Sequence, residues 1–355
     1  MKIRIANLGW LLLVIGVTAV ACNAAPAASD PIRQPTQTDD WYQIYFTNPT
    51  CPPEEAREGG IDEIIAQDLL EAQLRVDVAA FDLDAEPIVN ALIDLADQGV
   101  GVRVVTDSDN ADQSSIRRLR NAGISVVEDK RSALMHDKFV VIDGRIVWTG
   151  SLNYTTNGAY CNNNNAVRLD SPRLAANYIA EMDEMYDGRV FGPTSPVNTP
   201  NEQLVLDGIR LQNYFGPETE LGPIIGAEIE QAQSEILFMA FSFTLDDIGE
   251  PILDKATAGV DVRGVFESSG ATNQSSYYGD MEAFGLPNLA VRLDGNPRIM
   301  HHKVIIIDRE TVILGSFNFS GNANDSNDEN ILIVRDPVFA NYFVEEFTAV
   351  WDEAE

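Results

Sequence analysis

The chain has 355 residues, 45% of them hydrophobic, and a formal net charge of −31. That apolar content excludes a wholly disordered chain, and the length suggests two domains. The acid excess argues against a general nucleic-acid coat or a basic protein spread on anionic lipid, while leaving room for a local anion site; three His and three Cys exclude a Cys/His-rich zinc module.

Lys2 and Arg4 precede an apolar run from Leu8 to Ala21, the charged and hydrophobic regions of an export signal. The run is short for a membrane span. Ala19-Val20-Ala21-Cys22 fits a bacterial lipobox, in which Cys22 is acylated and becomes the new N-terminus; it also fits the small-x-small pattern of ordinary signal cleavage. The lipoprotein reading is preferred, so residues 1–21 are expected to be a signal peptide and the Pro/Ala-rich residues 22–40 a flexible tether. The body is then exported, and either membrane-anchored through an acylated Cys22 or secreted. Outside the cytoplasm Cys51 and Cys161 are disulfide candidates, with two buried thiols as the alternative.

Further along, the spacing of apolar residues gives a helix over Ile61–Leu74, a strand over Val76–Phe81 and a second helix over Ile88–Gln98. A strand at Val102–Thr106 and a short helix at Ile116–Ala122 follow, then apolar runs Lys138–Ile142 and Ile146–Thr149 joined by the turn pair Asp143-Gly144. The pattern then repeats. Val100-Gly-Val-Arg-Val-Val-Thr-Asp107 returns as Val260-Asp-Val-Arg-Gly-Val-Phe-Glu267 at an offset of 160, and Ala80-Phe81 as Ala240-Phe241. His136, Lys138, Asp143 and Gly150-Ser151 return as His301, Lys303, Asp308 and Gly315-Ser316 at an offset of 165. Such a period is a domain duplication, far too long for a solenoid. The expected fold is α/β: lobes at 41–195 and 205–355 around a linker at 196–204, in the Pro-rich stretch after Gly192. Alternating helices and continuous apolar strands suggest a mixed, mostly parallel sheet in each lobe.

Two blocks carry chemistry, His136-Asp-Lys138-Phe-Val-Val-Ile-Asp143 and His301-His-Lys303-Val-Ile-Ile-Ile-Asp308. Residues i and i+2 of an extended chain face the same way, so each His projects with its Lys. Asp143 and Asp308 close the strands, where they are expected to orient an imidazole or balance positive charge; Ser151, Asn153, Ser316 and Asn318 supply neutral donors one strand later. All three histidines fall in these blocks, and a buried Lys is costly without a purpose. Two His and two Lys in one site suit phosphodiester cleavage: ammonium groups neutralise phosphoryl oxygens, one imidazole attacks phosphorus, and the other protonates the leaving oxygen. That scheme needs no metal and no cofactor. Asp107 and Asp109 read as loop-capping groups, and His302, on the opposite strand face from His301, as structural.

These blocks, each followed by Gly-Ser-x-Asn (Gly150–Asn153, Gly315–Asn318) and the second by Asn327-Asp-Glu329-Asn330, resemble the phospholipase D superfamily, which carries two such HKD motifs per site. The similarity runs from about residue 41 to the end, and the short lobes are most similar to the compact bacterial nuclease and mitochondrial cardiolipin hydrolase branch. The resemblance implies a two-lobed pseudo-twofold dimer, hydrolysis through a phosphohistidine, His136 as nucleophile, His301 as general acid, and Glu329 among the substrate-site residues. One departure stands out: Asn162-Asn-Asn-Asn165 puts Asn164 where the second half has Glu329.

The tether favours a phospholipid substrate at a membrane surface by proximity, with nucleic-acid hydrolysis and phosphatidyl transfer as alternatives. A non-catalytic binding protein is disfavoured because both motifs are intact. Arg117, Arg118 and Arg120 are read either as the rim of an anion-binding cleft or as a solvated helix face. Nothing in the chain points to a protein partner.

Overall fold

A computed structural model describes the chain from Ile32 onward apart from residue 40, with residues 33–39 as backbone only. The export signal and Cys22 lie outside the described residues.

The first lobe contains β1 (Ile32–Asp39), β2 (Tyr42–Thr47), β3 (Arg75–Ala80), β4 (Gly101–Thr106), β5 (Ser125–Glu128), β6 (Lys138–Ile142), β7 (Ile146–Gly150), β8 (Asn162–Asn163) and β9 (Asn165–Asp170). The second contains β10 (Gln203–Leu206), β11 (Ile209–Gly216), β12 (Glu235–Ala240), β13 (Asp261–Phe266), β14 (Leu289–Leu293), β15 (Ile299–Met300), β16 (Lys303–Ile307), β17 (Thr311–Gly315) and β18 (Glu329–Arg335). Each lobe builds one sheet in the same order, β1-β2-β9-β7-β6-β3-β4-β5 and β10-β11-β18-β17-β16-β12-β13-β14.

The sheets are mixed, but the balance differs from the sequence expectation of a mostly parallel one. Only β3·β4·β5 and β12·β13·β14 run parallel; all other pairings within the two sheets are antiparallel. The reason is local: the Asp143-Gly144 turn, with both residues at positive φ, reverses the chain into a hairpin, and β9 then returns antiparallel to β7. The continuous apolar runs come from burial on both faces, since every residue of β6 and β7 is buried.

Part of the expected tether is also structured. Residues 32–39 form the edge strand β1 on β2, where their backbone satisfies groups the sheet edge would otherwise expose. The pairing slips between Arg33 and Thr36, around Pro35, which has no N–H to give the ladder. On the second lobe β10 plays the same part, and it begins at Gln203, inside the expected linker.

One apolar cluster joins the lobes. It contains inward residues of both sheets and of the helices Pro172–Asp183 and Pro337–Glu353. Tyr42 meets Phe339, Phe46 meets Phe343 and Tyr178 meets Phe215 edge-to-face across the junction, at 5.1–5.2 Å between ring centroids. A junction of this kind behaves as a core and fixes the two lobes relative to one another. Separate apolar clusters cover the outer face of each sheet. Cys51 and Cys161 form a disulfide, tying the loop after β2 to the turn before β8.

The junction also buries acids. Burial raises the carboxyls of Glu181 and Glu184 from lobe 1, Glu218 from lobe 2 and Asp137 beside His136, and repulsion from neighbouring acids adds to the effect at Glu181, Glu218 and Asp137. Asp137 and Glu184 are pushed up to about 7, Glu218 to about 8, and Glu181 well above its usual range. Folded-state values above the unfolded ones mean that folding takes up protons, so this stability is full below the unfolded carboxylate pKa and is lost as pH rises through 7 to 8. Conversely Asp143, Asp308 and Glu235 are lowered by hydrogen bonds or ion pairs, and their contribution disappears on acidification. Chemical denaturation across pH is therefore expected to give maximal stability in mildly acidic solution, with a decline towards pH 8 that Glu218→Gln reduces.

Candidate active site

β6 and β16 bring the two blocks together. Each His lies two residues ahead of its strand, in a segment that reaches into the other lobe. His136 N–H donates to the Asp328 carbonyl at 3.0 Å, and His301 N–H to the Asn163 carbonyl at 2.9 Å. β15 pairs with β8 beside the second contact, and Met135 bridges to Asp328 beside the first. Arg131 fastens the first crossover by binding the Ser326 carbonyl and the Asp328 carboxylate. Asn296 fastens the second, donating to the Cys161 carbonyl and to Asn163 Oδ1.

Both imidazoles are oriented from the opposite lobe. His136 Nδ1–H donates to the Glu329 carboxylate, 2.8 and 2.9 Å from its two oxygens. Ser316 Oγ donates to the same carboxylate at 2.6 Å and Asn327 Nδ2 at 3.3 Å. His301 Nδ1–H donates instead to Asn164 Oδ1 at 3.0 Å, which also receives Ser151 Oγ at 2.9 Å. Asn164 Nδ2 donates to the Gly158 carbonyl, so its oxygen is the end that faces the ring. With Nδ1 engaged in this way, Nε2 is the ring nitrogen left for chemistry in each histidine, and the backbone of Ser316 and of Ser151 also meets the His136 and His301 rings.

Gly150 and Gly315, at φ of 144° and 150°, let these serines come close. A Cβ at either position would stand 2.5 or 2.2 Å from the carbonyl oxygen of Asn165 or Asn330. Asn153 and Asn318 follow, each with a buried Oδ1 that has no hydrogen-bond partner among the described residues.

Lys138 and Lys303 are 1% and 2% exposed. Their Nζ atoms donate to the carbonyls of their own histidines at 2.6 and 2.8 Å. Burial lowers Lys138 to about 8 and Lys303 further, the latter also repelled by Lys138. Burial and both ammonium groups hold His136 and His301 well below the usual imidazole range. Burial raises the Glu329 carboxyl to about 7 against the pull of the lysines.

The two expected aspartates are not in this site. Asp143 and Asp308 lie at the far ends of β6 and β16, about 16 Å along a strand from the lysines. Asp143 accepts the backbone N–H groups of Gln73, Leu74 and Arg75, and Asp308 those of Gln233, Ser234 and Glu235. They hold the turns into β3 and β12, so their motif position reflects folding geometry. His302 is structural as expected, bonded to Asn165 and Glu346, and Asp107 caps its loop through Asp109 N–H and Met135 N–H. Arg117, Arg118 and Arg120 lie on the lobe-1 surface, bound to the Asp112 carbonyl, to Glu86 with Asn90, and to the Ala111 carbonyl with Glu128. The cross-lobe fasteners Arg131 and Asn296 were not singled out by the sequence, because their partners are remote in the chain.

A family model described as cardiolipin synthase, PLD-like domain, matches residues 65–186 and 225–351. The chain is similar to a mitochondrial cardiolipin hydrolase of Chlamydomonas reinhardtii, 37% identical over 32% of this chain and 51% of that protein. It is also similar to a phospholipase D of Rickettsia bellii, 28% identical over 39% of this chain and 68% of that one. The match thus spans about half the length of the cardiolipin hydrolase. In fold it resembles the phosphatidylserine synthase of Haemophilus influenzae, with a TM-score of 0.64 at 14% identity over 83% of this chain and 84% of that one.

Because only His136 faces a carboxylate, the two imidazoles are expected to answer pH differently. In 15N-histidine NMR, His136 Nε2 should shift in step with Glu329 near pH 7 while His301 does not, and Glu329→Gln should abolish that step.

Proposed function

The chain belongs to the PLD-like family whose model it matches in both lobes, and from that premise we propose that it is a metal-independent phosphodiesterase that hydrolyses phospholipids to phosphatidic acid and a free headgroup. The observation that carries the reading is the reciprocal site: two imidazoles, each held through Nδ1 from the opposite lobe, beside two buried ammonium groups.

His136 is the nucleophile. Its Nε2 attacks phosphorus as the ester bond to the headgroup oxygen breaks, and the Glu329 carboxylate stabilises the positive charge that grows on the ring. His301, whose neutral Asn164 partner lends no such stabilisation, enters protonated once the phosphate anion has offset the lysines, and gives its Nε2 proton to the leaving oxygen. It then takes a proton from water; the resulting hydroxide attacks phosphorus, the P–N bond breaks and His136 is restored. Lys138 and Lys303 stabilise charge on the non-bridging oxygens throughout.

Lipid is ranked above nucleic acid on charge. Arg103, Arg118, Arg120, Arg145, Arg168, Arg263, Arg309 and Arg335 all pair with the protein's own carboxylates, which leaves few cations for a backbone-tracking groove. The disulfide fits an oxidising compartment and so supports export; acylation of Cys22 would hold the enzyme near headgroups.

Mature protein incubated in EDTA with phosphatidylcholine/cardiolipin vesicles and single-stranded DNA is expected to release headgroup and leave DNA intact. DNA fragments with intact lipid would make it a nuclease of the same mechanism, and a new phosphodiester formed from added alcohol a transferase. His136→Ala and His301→Ala should each lose activity by about 10³-fold or more, and rapid denaturation at neutral to mildly alkaline pH, where a P–N bond survives, should trap the phosphatidyl group on His136 alone. Turnover should follow a bell, its acid limb near 7 from Glu329 and its alkaline limb from loss of charge on the two lysines, Lys138 near 8 together with Lys303.

A further inference from the structure

Each reactive pair has a third neighbour that the chemistry above does not use. Phe81 directly follows β3 and Phe241 directly follows β12. Phe81 N–H donates to the Asp137 carbonyl at 3.2 Å and Phe241 N–H to the His302 carbonyl at 2.9 Å, extending each ladder by one residue. The rings are thereby fixed against the His/Lys segment. Lys138 Nζ lies 5.1 Å from the Phe81 centroid and Lys303 Nζ 4.6 Å from that of Phe241. The same rings meet His136 and His301 edge-to-face, at 5.0 and 4.9 Å with interplanar angles of 66° and 65°.

A core-filling role does not account for this. Both rings are only part-buried, and the geometry occurs twice in lobes whose neighbouring sequences differ, Phe81-Asp-Leu against Phe241-Ser-Phe. The ammonium groups need such a neighbour. Each is removed from water and has one protein oxygen, its own histidine's carbonyl, so most of its donor capacity is unmet by protein. An aromatic face attracts a cation through its quadrupole, most strongly where water is absent. Resting on the phosphodiesterase reading of this site, we propose that Phe81 and Phe241 are positioning residues that keep their lobe's lysine charged and its imidazole aligned.

The two lobes should depend on their rings unequally. Lys138 is faced by the carboxyl groups of Glu329, Asp137, Asp82 and Asp107. Lys303 is faced by Glu329 and Glu267 only, while the repulsion between the two ammonium groups and the nearness of both imidazoles bear on both lysines. With fewer acidic groups around it and a closer ring, 4.6 against 5.1 Å, Lys303 leans more on Phe241 than Lys138 does on Phe81.

The test is Phe241→Leu and Phe81→Leu, which keep apolar bulk and remove the quadrupole, alongside Phe241→Tyr, which retains it. Lysine ε-13C NMR titration, assigned with Lys303→Arg, reads the ammonium directly. A chromogenic bis-aryl phosphate diester reads turnover, and thermal melts report folding. In Phe241→Leu the Lys303 titration and the alkaline limb are expected to fall by about one pH unit, with about a 10-fold loss of kcat on that limb. Phe81→Leu should give a smaller shift, and Phe241→Tyr near-native values. A folded Phe241→Leu with an unmoved lysine titration overturns the proposal; should that variant not fold, Phe241→Met takes its place and is read in the same way. If the native protein cleaves no diester, the phosphodiesterase reading fails, while the lysine titration still decides whether the rings hold the charge.

Discussion

Two ammonium groups brought out of water near one another form the constraint on which the structure turns. Lys138 and Lys303 are almost wholly buried and repel each other, and neither forms a direct ion pair among the described residues. The fold compensates at a distance. Carbonyl oxygens of the preceding histidines, two aromatic faces and nearby carboxyl groups, with Glu329 facing both lysines, surround the pair with negative potential without quenching it. A direct carboxylate partner for each lysine would stabilise the empty protein more and would leave nothing for an anionic ligand to neutralise.

Duplication supplied this arrangement, and divergence differentiated it. The histidine contacts of the first block have counterparts in the second, yet the partners differ: Glu329 against Asn164 behind the imidazoles, and the Arg131–Asp328 ion pair against Asn296 and the adjacent disulfide at the crossovers. The positions between His and Lys diverged too. His302 bonds Glu346, whereas Asp137 stands near Glu181, an acid facing an acid. On the proposed mechanism two identical imidazoles could each act as nucleophile or acid, and one carboxylate behind one ring would remove that degeneracy, because a negative charge favours the ring on which positive charge develops.

Much of this was legible in the sequence. Helix and strand positions in lobe 1 followed from apolar spacing because their buried faces are continuous, and the His/Lys pairs were marked by repetition. The strand directions were not legible. Apolar runs buried on both faces look alike whether their neighbours run parallel or antiparallel, so the Asp143-Gly144 hairpin was visible while its effect on the whole sheet was not. Asp143 and Asp308 misled for a related reason: a residue that repeats with the motif can repeat because every copy of the fold needs the same turn held. The roles of Phe81 and Phe241 were out of reach, since a phenylalanine at a strand end reads as core until the ammonium above it is seen.

The net charge of −31 and a site for an anion then cease to conflict. Surface carboxylates on this protein mostly face water or pair with surface arginines, where solvent and salt screen them within about 8–10 Å. The lysines lie in a region of low dielectric, where a phosphate that reaches them interacts far more strongly per unit charge than it does with the acid exterior. For the proposed reaction, the exterior would affect how fast an anionic substrate arrives, and the buried pair how strongly its transition state is held. An acidic shell around a cationic centre therefore trades rate of encounter for discrimination: a polyanion is repelled along its whole length, while a single diester in a largely uncharged surface meets only the local field.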